Sequence, residues 1–172
     1  VTSVQIPGQA DFSAYEDLKS EGLLTARIDI GKPLTGDVEQ LRQYEILRKK
    51  YPQEGNWIRF GYLQAFIDGT IGSGTALMFE PFSDNPSTSG LAMMPYEEFE
   101  RMVVTADSMG FQIGVHSIGD KGNNWTLNAY EKAMTENGSR DSRHRDEHAQ
   151  TLQLSDIPRF GIAFFNSIGS SH

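Results

Sequence analysis

The stretch Phe111-Gln-Ile-Gly-Val-His-Ser-Ile-Gly-Asp120 decides the fold. Counted by twos, Phe111, Ile113 and Val115 point to one side, and Gln112, Gly114 and His116 to the other. The first set is what a buried strand shows to covering helices. The second is small and polar, with an imidazole at the C-terminal end and Gly119-Asp120 just beyond. In parallel α/β folds the C-terminal ends of strands are where chemistry is done. About one βα unit later comes a second histidine strand, Arg143-His-Arg-Asp-Glu-His-Ala-Gln150. Together they point to a metal site at the mouth of a barrel.

Working outward, strands are expected at Val1–Ile6, Leu24–Ile30, Arg59–Ile67, Phe111–His116, His144–His148 and Gly161–Ser167. Helices are expected between them. Ser13 is read as the cap of a helix that stops at Gly22, and Asp37 as the cap of one running to Lys50 with Val38, Leu41, Tyr44 and Leu47 on one face. Tyr96–Met109 carries the clearest helical period. A further helix is expected from about Asn123 to Glu136, stopped by Asn137-Gly138, and Ser155 is read as the cap of a short one containing Pro158 and Phe160. Between the third strand and the 96–109 helix lies an irregular stretch, Asp68–Gly90, rich in Gly, Ser, Thr, Pro and Asn; loops this long inside a compact domain are usually functional or disordered. Six strands alternating with helices imply a parallel sheet with helical cover. The pattern alone does not separate a barrel from an open doubly wound sheet. No Gly-x-Gly-x-x-Gly follows the first strand and no Walker loop occurs, which disfavours nucleotide binding.

The 172 residues suffice for one domain, read as 1–172, with a real core. A complete eight-unit barrel needs roughly 250. The chain starts at Val1 rather than Met, directly in strand-like sequence, and is expected to be an internal piece of a longer protein. Its net charge of −8 argues against nucleic acid and anionic membrane as partners. With no cysteines, any metal must be held by His, Asp or Glu. No apolar run approaches the roughly 20 residues of a membrane span, and a cytoplasmic location is expected.

His116 and His148 both fall at strand ends, and each alone reads more readily as a structural histidine. Their matching positions in consecutive units make them the candidate metal ligands. Counting by twos from His148 puts Asp146 and His144 on its face, inside a barrel, with Arg145 and Glu147 facing away. Asp68 and Asp120 are the candidate catalytic acids. Each has a plainer reading: Asp68-Gly69 as a turn pair, Asp120 as a helix cap. Arg143 and Arg145 with Asp146 and Glu147 also read as a charge network.

Four motifs in order are Gly69-Thr-Ile-Gly-Ser73, Glu80-Pro-Phe-Ser-Asp84, Val115-His-Ser-Ile-Gly-Asp120 and Arg143-His-Arg-Asp-Glu-His-Ala-Gln150. With them the chain resembles the YtcJ-like branch of the amidohydrolase superfamily, which includes N-substituted formamide deformylases. The resemblance runs from about Val1 to Ile168. It implies a (β/α)8 TIM barrel, incomplete here, with the second to the seventh strands present. It implies hydrolysis of a C–N, amide-like bond in a small molecule by metal-activated water, with zinc the expected divalent ion. It carries over His116 and His148 as ligands of the fifth and sixth strands. The chain departs from the pattern in several places. Gln64 stands where the family commonly has a lysine that bridges two metals as a carbamate, which favours one metal or none. Gly74 replaces an arginine, Asp146 an apolar residue, and Asn166-Ser-Ile-Gly169 a Gln-Pro pair. The His-x-His of the first strand and the catalytic aspartate of the eighth have no counterpart, so metal binding by this chain alone is expected to be weak or absent. The alternative is a degenerate, non-catalytic barrel piece. In either case homo-oligomerisation through open sheet edges is expected.

Overall fold

The computed structural model describes residues 3–6, 11–54 and 57–163. Five strands form one parallel sheet, curled as a half-barrel, in the order β1-β2-β3-β4-β5. These are β1 (Ser3–Ile6), β2 (Arg27–Pro33), β3 (Ile58–Phe66), β4 (Ile113–Ser117) and β5 (Arg145–His148). Four helices alternate with them: α1 (Phe12–Ser20), α2 (Val38–Lys50), α3 (Tyr96–Ser108) and α4 (Asp120–Asn137). A fifth, α5 (Ile157–Ala163), follows β5. Each strand pairs with the next in sequence, as successive βα units require.

The core lies between the sheet's outer face and the helices. Ile30, Phe60, Leu63, Ala65, Ile113 and Val115 meet Leu41, Phe99, Val103, Leu127 and Tyr130 in one buried cluster. Each large apolar side chain so buried is worth roughly 1.5–3 kcal/mol, so this layer dominates the stability.

Local chemistry sets the helix starts. The Asp37 carboxylate accepts from the Glu39 N–H at 2.9 Å and caps α2 as expected. The cap of α1 is Asp11, not Ser13; its carboxylate accepts from the Ser13 N–H at 2.9 Å. Strand β2 lies three residues later than the alternation suggests. It runs through Gly31 and Pro33 because backbone pairing continues to Pro33↔Gln64, across an irregularity at Ile30/Gly31. Helix α4 starts at Asp120, three residues before the expected position. Gly122 sits in its first turn because a Cβ there would lie 2.8 Å from Asp68 Oδ2.

The expected strand at Gly161–Ser167 is corrected in part. Gly161 to Ala163 belong to α5, while residues 164–167 lie outside the described residues. Short apolar runs fit a helix as well as a strand. Polar contacts fix this helix on α4: Arg159 Nε meets Glu131 Oε1 at 2.8 Å, and Asn124 Nδ2 donates to Asp156 Oδ2 at 2.9 Å. Ser155 lies two residues before the helix, and Asp156 takes the contacts at its start. Among the described residues the sheet therefore ends at β5, with five strands rather than six.

Candidate metal centre

His116 and His148 come together at the C-terminal end of the sheet. Their ring centroids are 4.6 Å apart, edge to face. Regular alternation does not produce this meeting. His148 is in register with Ser117, and Glu147 with His116. A regular strand would turn the His148 side chain to the outer face, with Ser117. The chain departs from extended geometry there: φ is 87° at His148 and 42° at Ala149, a region L-residues rarely occupy. That turn brings the imidazole round to His116. Backbone strain of this kind clusters at functional sites.

His116 is itself oriented. Its Nε2 lies 3.1 Å from the Gly69 carbonyl oxygen, and its ring lies 5.2 Å from that of Phe66. A carbonyl only accepts, so Nε2 carries the proton and Nδ1 keeps the lone pair.

Asp68 is almost wholly buried at 1 % exposure. Its Oδ2 accepts from the N–H groups of Leu77 at 2.9 Å and Gly119 at 2.7 Å, and its Oδ1 from that of Ile118 at 3.0 Å. His116 Nε2 is 3.8 Å from Oδ1. The Leu77 carbonyl in turn accepts from the Lys121 and Gly122 N–H groups, each at 3.1 Å. One carboxylate thus joins the end of β3, the 68–93 loop, the end of β4 and the start of α4. Asp120 is the first residue of α4. Its Oδ1 accepts from the Phe79 N–H at 2.9 Å and its Oδ2 from Gln153. Both candidate acids hold the rim of the mouth in place.

The expected orientation of β5 is reversed by the register. Asp146 pairs with Val115, which is fully buried, and so turns to the helices rather than the barrel interior. Arg145 and Glu147 take the inner face: the Arg145 guanidinium lies 4.1 Å over the Tyr62 ring and its Nε is 2.9 Å from Glu147 Oε1. Both Asp146 carboxyl oxygens are buried without a hydrogen-bond partner. Burial, with the charges of Asp68 and Glu147 adding to it, pushes its pKa up to about 9.

His144, at the opposite end of β5, does structural work. Its Nδ1 accepts from the Ile113 N–H at 3.2 Å, and its Nε2 meets Asp107 Oδ1 at 3.0 Å. Arg140 Nη2 reaches the same carboxylate at 2.5 Å, and Asn137 Nδ2 its other oxygen at 2.9 Å. Burial alone would raise the Asp107 pKa; the bonds from His144 and Asn137 and the charges of His144 and Arg140 outweigh it and hold it at about 2. Sequence reasoning missed this network, since its members are spread from 107 to 144 with no local motif.

A pair of imidazoles with a free Nδ1 on one is a partial fit to a divalent ion, which takes three or four N/O ligands when it is zinc. Among the described residues no group of three or more metal-ligating side chains comes together.

A half-barrel of parallel strands with helical cover and two histidines at its C-terminal mouth defines a class, that of the α/β barrel proteins, and the comparisons resolve it further. The profile of the Amidohydrolase family matches residues 1–162, and the chain belongs to that family. It is 43% identical over 105 residues to the Arabidopsis thaliana protein LONG AFTER FAR-RED 3, covering 61% of this chain and 18% of that protein. It is 37% identical over 121 residues to the putative amidohydrolase YtcJ of Bacillus subtilis (strain 168), covering 70% of this chain and 22% of that protein. Two crystal structures of uncharacterized metal-dependent hydrolases share the fold. That from Pyrococcus furiosus has a TM-score of 0.73 at 29% identity, covering 94% of this chain and 32% of its own. That from Pyrococcus horikoshii OT3 has a TM-score of 0.73 at 28% identity, covering 94% and 31%. The chain therefore spans about a fifth of the length of the two sequence relatives.

Proposed function

We propose that this chain forms part of the active site of a hydrolase that cleaves a C–N, amide-like bond in a small molecule, with a divalent metal, zinc by preference, held in part by His116 and His148. The 4.6 Å approach of the two rings at the mouth carries this reading. Membership of the amidohydrolase family supports it. Bound there, the ion would supply Lewis-acid activation of water and of the scissile carbonyl. The chain's own residues do the rest. Gly69 O fixes the His116 tautomer through Nε2, leaving Nδ1 for the ion, as outer partners of ligating histidines do. Asp68 and Asp120 position the loop that walls the mouth. Phe66, half-exposed beside His116, offers an apolar surface to the substrate. In barrel terms β3, β4 and β5 correspond to the fourth, fifth and sixth strands.

The second reading, a non-catalytic barrel piece, is favoured by Gln64, which cannot form a bridging carbamate. Its Oε1 instead accepts from the Tyr62 hydroxyl at 3.1 Å. Zinc titration by calorimetry, run beside hydrolysis assays on formamides, amides and esters, separates the two. The proposal expects weak binding, lowered at least about tenfold by His116→Ala or His148→Ala, and metal-dependent turnover confined to C–N substrates once the remaining ligands are present. Zinc binding indifferent to both substitutions would overturn it.

A further inference from the structure

The backbone peptide between Gly69 and Thr70 is held at both ends. Its C=O, that of Gly69, accepts from His116 Nε2 at 3.1 Å. Its N–H, that of Thr70, donates to Thr75 Oγ1 at 3.0 Å. The two groups lie in one rigid plane, so the side chain that holds the N–H also sets where the C=O points. Thr75 thus acts on His116 through a peptide unit.

The loop brings Thr75 to that place with its backbone. The Gly74 N–H donates to Ile71 O at 2.9 Å, and a φ of 66° at Gly74 turns the chain back. The Thr75 carbonyl then accepts from the N–H groups of Gly69 at 3.1 Å and Leu91 at 3.2 Å, and the Thr75 N–H donates to Thr70 O at 3.0 Å. None of these bonds uses the side chain. The hydroxyl serves the peptide and Ser73, whose Oγ lies 2.6 Å from Thr75 Oγ1 and 2.8 Å from Thr70 Oγ1. A Cβ on Gly69 would fall on Thr75 Oγ1, so only glycine allows the approach.

The same glycine makes the hydroxyl necessary. Without a Cβ, Gly69 accepts either orientation of the following peptide at little cost. Thr70 is exposed, so a released C=O or N–H there finds water. A flipped peptide would turn its N–H, a donor, towards His116 Nε2. The ring would answer by carrying its proton on Nδ1, the nitrogen assigned to the metal.

We propose that Thr75 is a positioning residue of the metal centre: its hydroxyl locks the Gly69–Thr70 peptide and so keeps the His116 proton on Nε2 and the lone pair on Nδ1. This role rests on the reading of His116 as a ligand, and adds the group that prepares the ligand.

The test is NMR of the metal-free chain at about pH 8.5, where an ordinary imidazole is neutral. Long-range proton–nitrogen spectra show which ring nitrogen of each histidine is protonated. In the wild type His116 should carry Nε2–H, and the Thr70 amide should be protected from solvent exchange despite its exposed position. Thr75→Val keeps the side-chain shape and leaves the backbone bonds available, but removes the acceptor. It should unprotect the Thr70 amide and move a large part of the His116 population to Nδ1–H. His144, whose Nδ1 accepts from the Ile113 N–H, should stay as it is. Thr75→Ser should restore both signals. Zinc affinity should fall about tenfold in Thr75→Val and recover in Thr75→Ser. The tautomer is read without metal, so a chain that shows the Thr75-dependent tautomer but binds no zinc would support the lock and overturn only the metal reading. An unprotected Thr70 amide in the wild type, an unchanged His116 tautomer in Thr75→Val, or His116 and His144 changing together would overturn the proposal. The first of these needs no variant, and so decides the matter even where Thr75→Val does not fold.

Discussion

His148 meets His116 edge to face at 4.6 Å, although the strand register sets it beside Ser117. The left-handed backbone at His148 and Ala149 makes the meeting possible. Cobalt(II) added to the chain should therefore shift and broaden the ring protons of His116 and His148 together in proton NMR. His144, whose ring nitrogens hold Ile113 and Asp107, should be unaffected. Broadening of His144 in place of the pair would show that the mouth does not gather the ion.

Asp68 satisfies three buried backbone N–H groups with one carboxylate. Asp68→Ala would leave all three without a partner, at about 1–3 kcal/mol for each unsatisfied group. We expect a loss of at least about 3 kcal/mol in urea unfolding, with new proteolytic cleavage in the 68–93 loop. Asp68→Asn keeps acceptor capacity at one oxygen and should lose less. Wild-type stability in the alanine variant would remove Asp68 from its place as the organiser of the rim.

How much of this was legible in the sequence follows from what each residue answers to. The β4 alternation and the Asp37 cap are local facts, so both were readable. Asp146 was not, because its face is set by register against β4 and not by its spacing from His148. The end of α5 was equally hidden: an apolar run carries no period to mark it as helix, and its anchor, Arg159, reaches back to Glu131. The two histidines were legible as strand-end residues, but the turn that joins them leaves no signal in residue type.

Asp146 gives a pH signature. Its folded-state pKa, about 9, lies above the ordinary carboxyl value. The stability tied to its neutral form is therefore fully present below about pH 4 and is lost as pH rises towards 9. Asp146→Asn, which cannot ionise, should gain on the wild type across that window, by at most about 1.4 kcal/mol per pH unit. Denaturant midpoints of both proteins between pH 5 and 8 give the difference; a gap that does not widen with pH would show that the carboxyl is charged and solvated.

The His144–Asp107 network acts in the opposite sense. Burial keeps the His144 pKa below its usual value, against the bond and charge of Asp107. The stability it contributes is present above about pH 6.5 and is lost as pH falls towards its folded value. Asp107, held at about 2, adds a second loss as pH drops from about 4 through that value. In His144→Gln the loss between pH 7 and 5 should be shallower than in the wild type. Melting temperatures at fixed ionic strength decide this, and parallel curves would remove His144 from the titration.

The sheet's outer strands set the last expectation. Among the described residues β1 and β5 each pair on one side only. Ser3, Val4 and Gln5 of β1 are exposed. A strand paired on one side offers its other row of N–H and C=O groups to any further strand. Charged side chains blunt such an edge, and β5 carries Arg145, Asp146 and Glu147. Strand β1 carries no charge at all, so it is the edge expected to pair. The chain should therefore self-associate through β1. Sedimentation velocity at micromolar concentration should show a species heavier than 19.2 kDa. Val4→Lys, which places a charge on that edge, should shift the population to monomer without loss of fold. A wild-type chain that sediments as a single monomer, with the β1 amides protected from hydrogen exchange, would show that this edge is already covered.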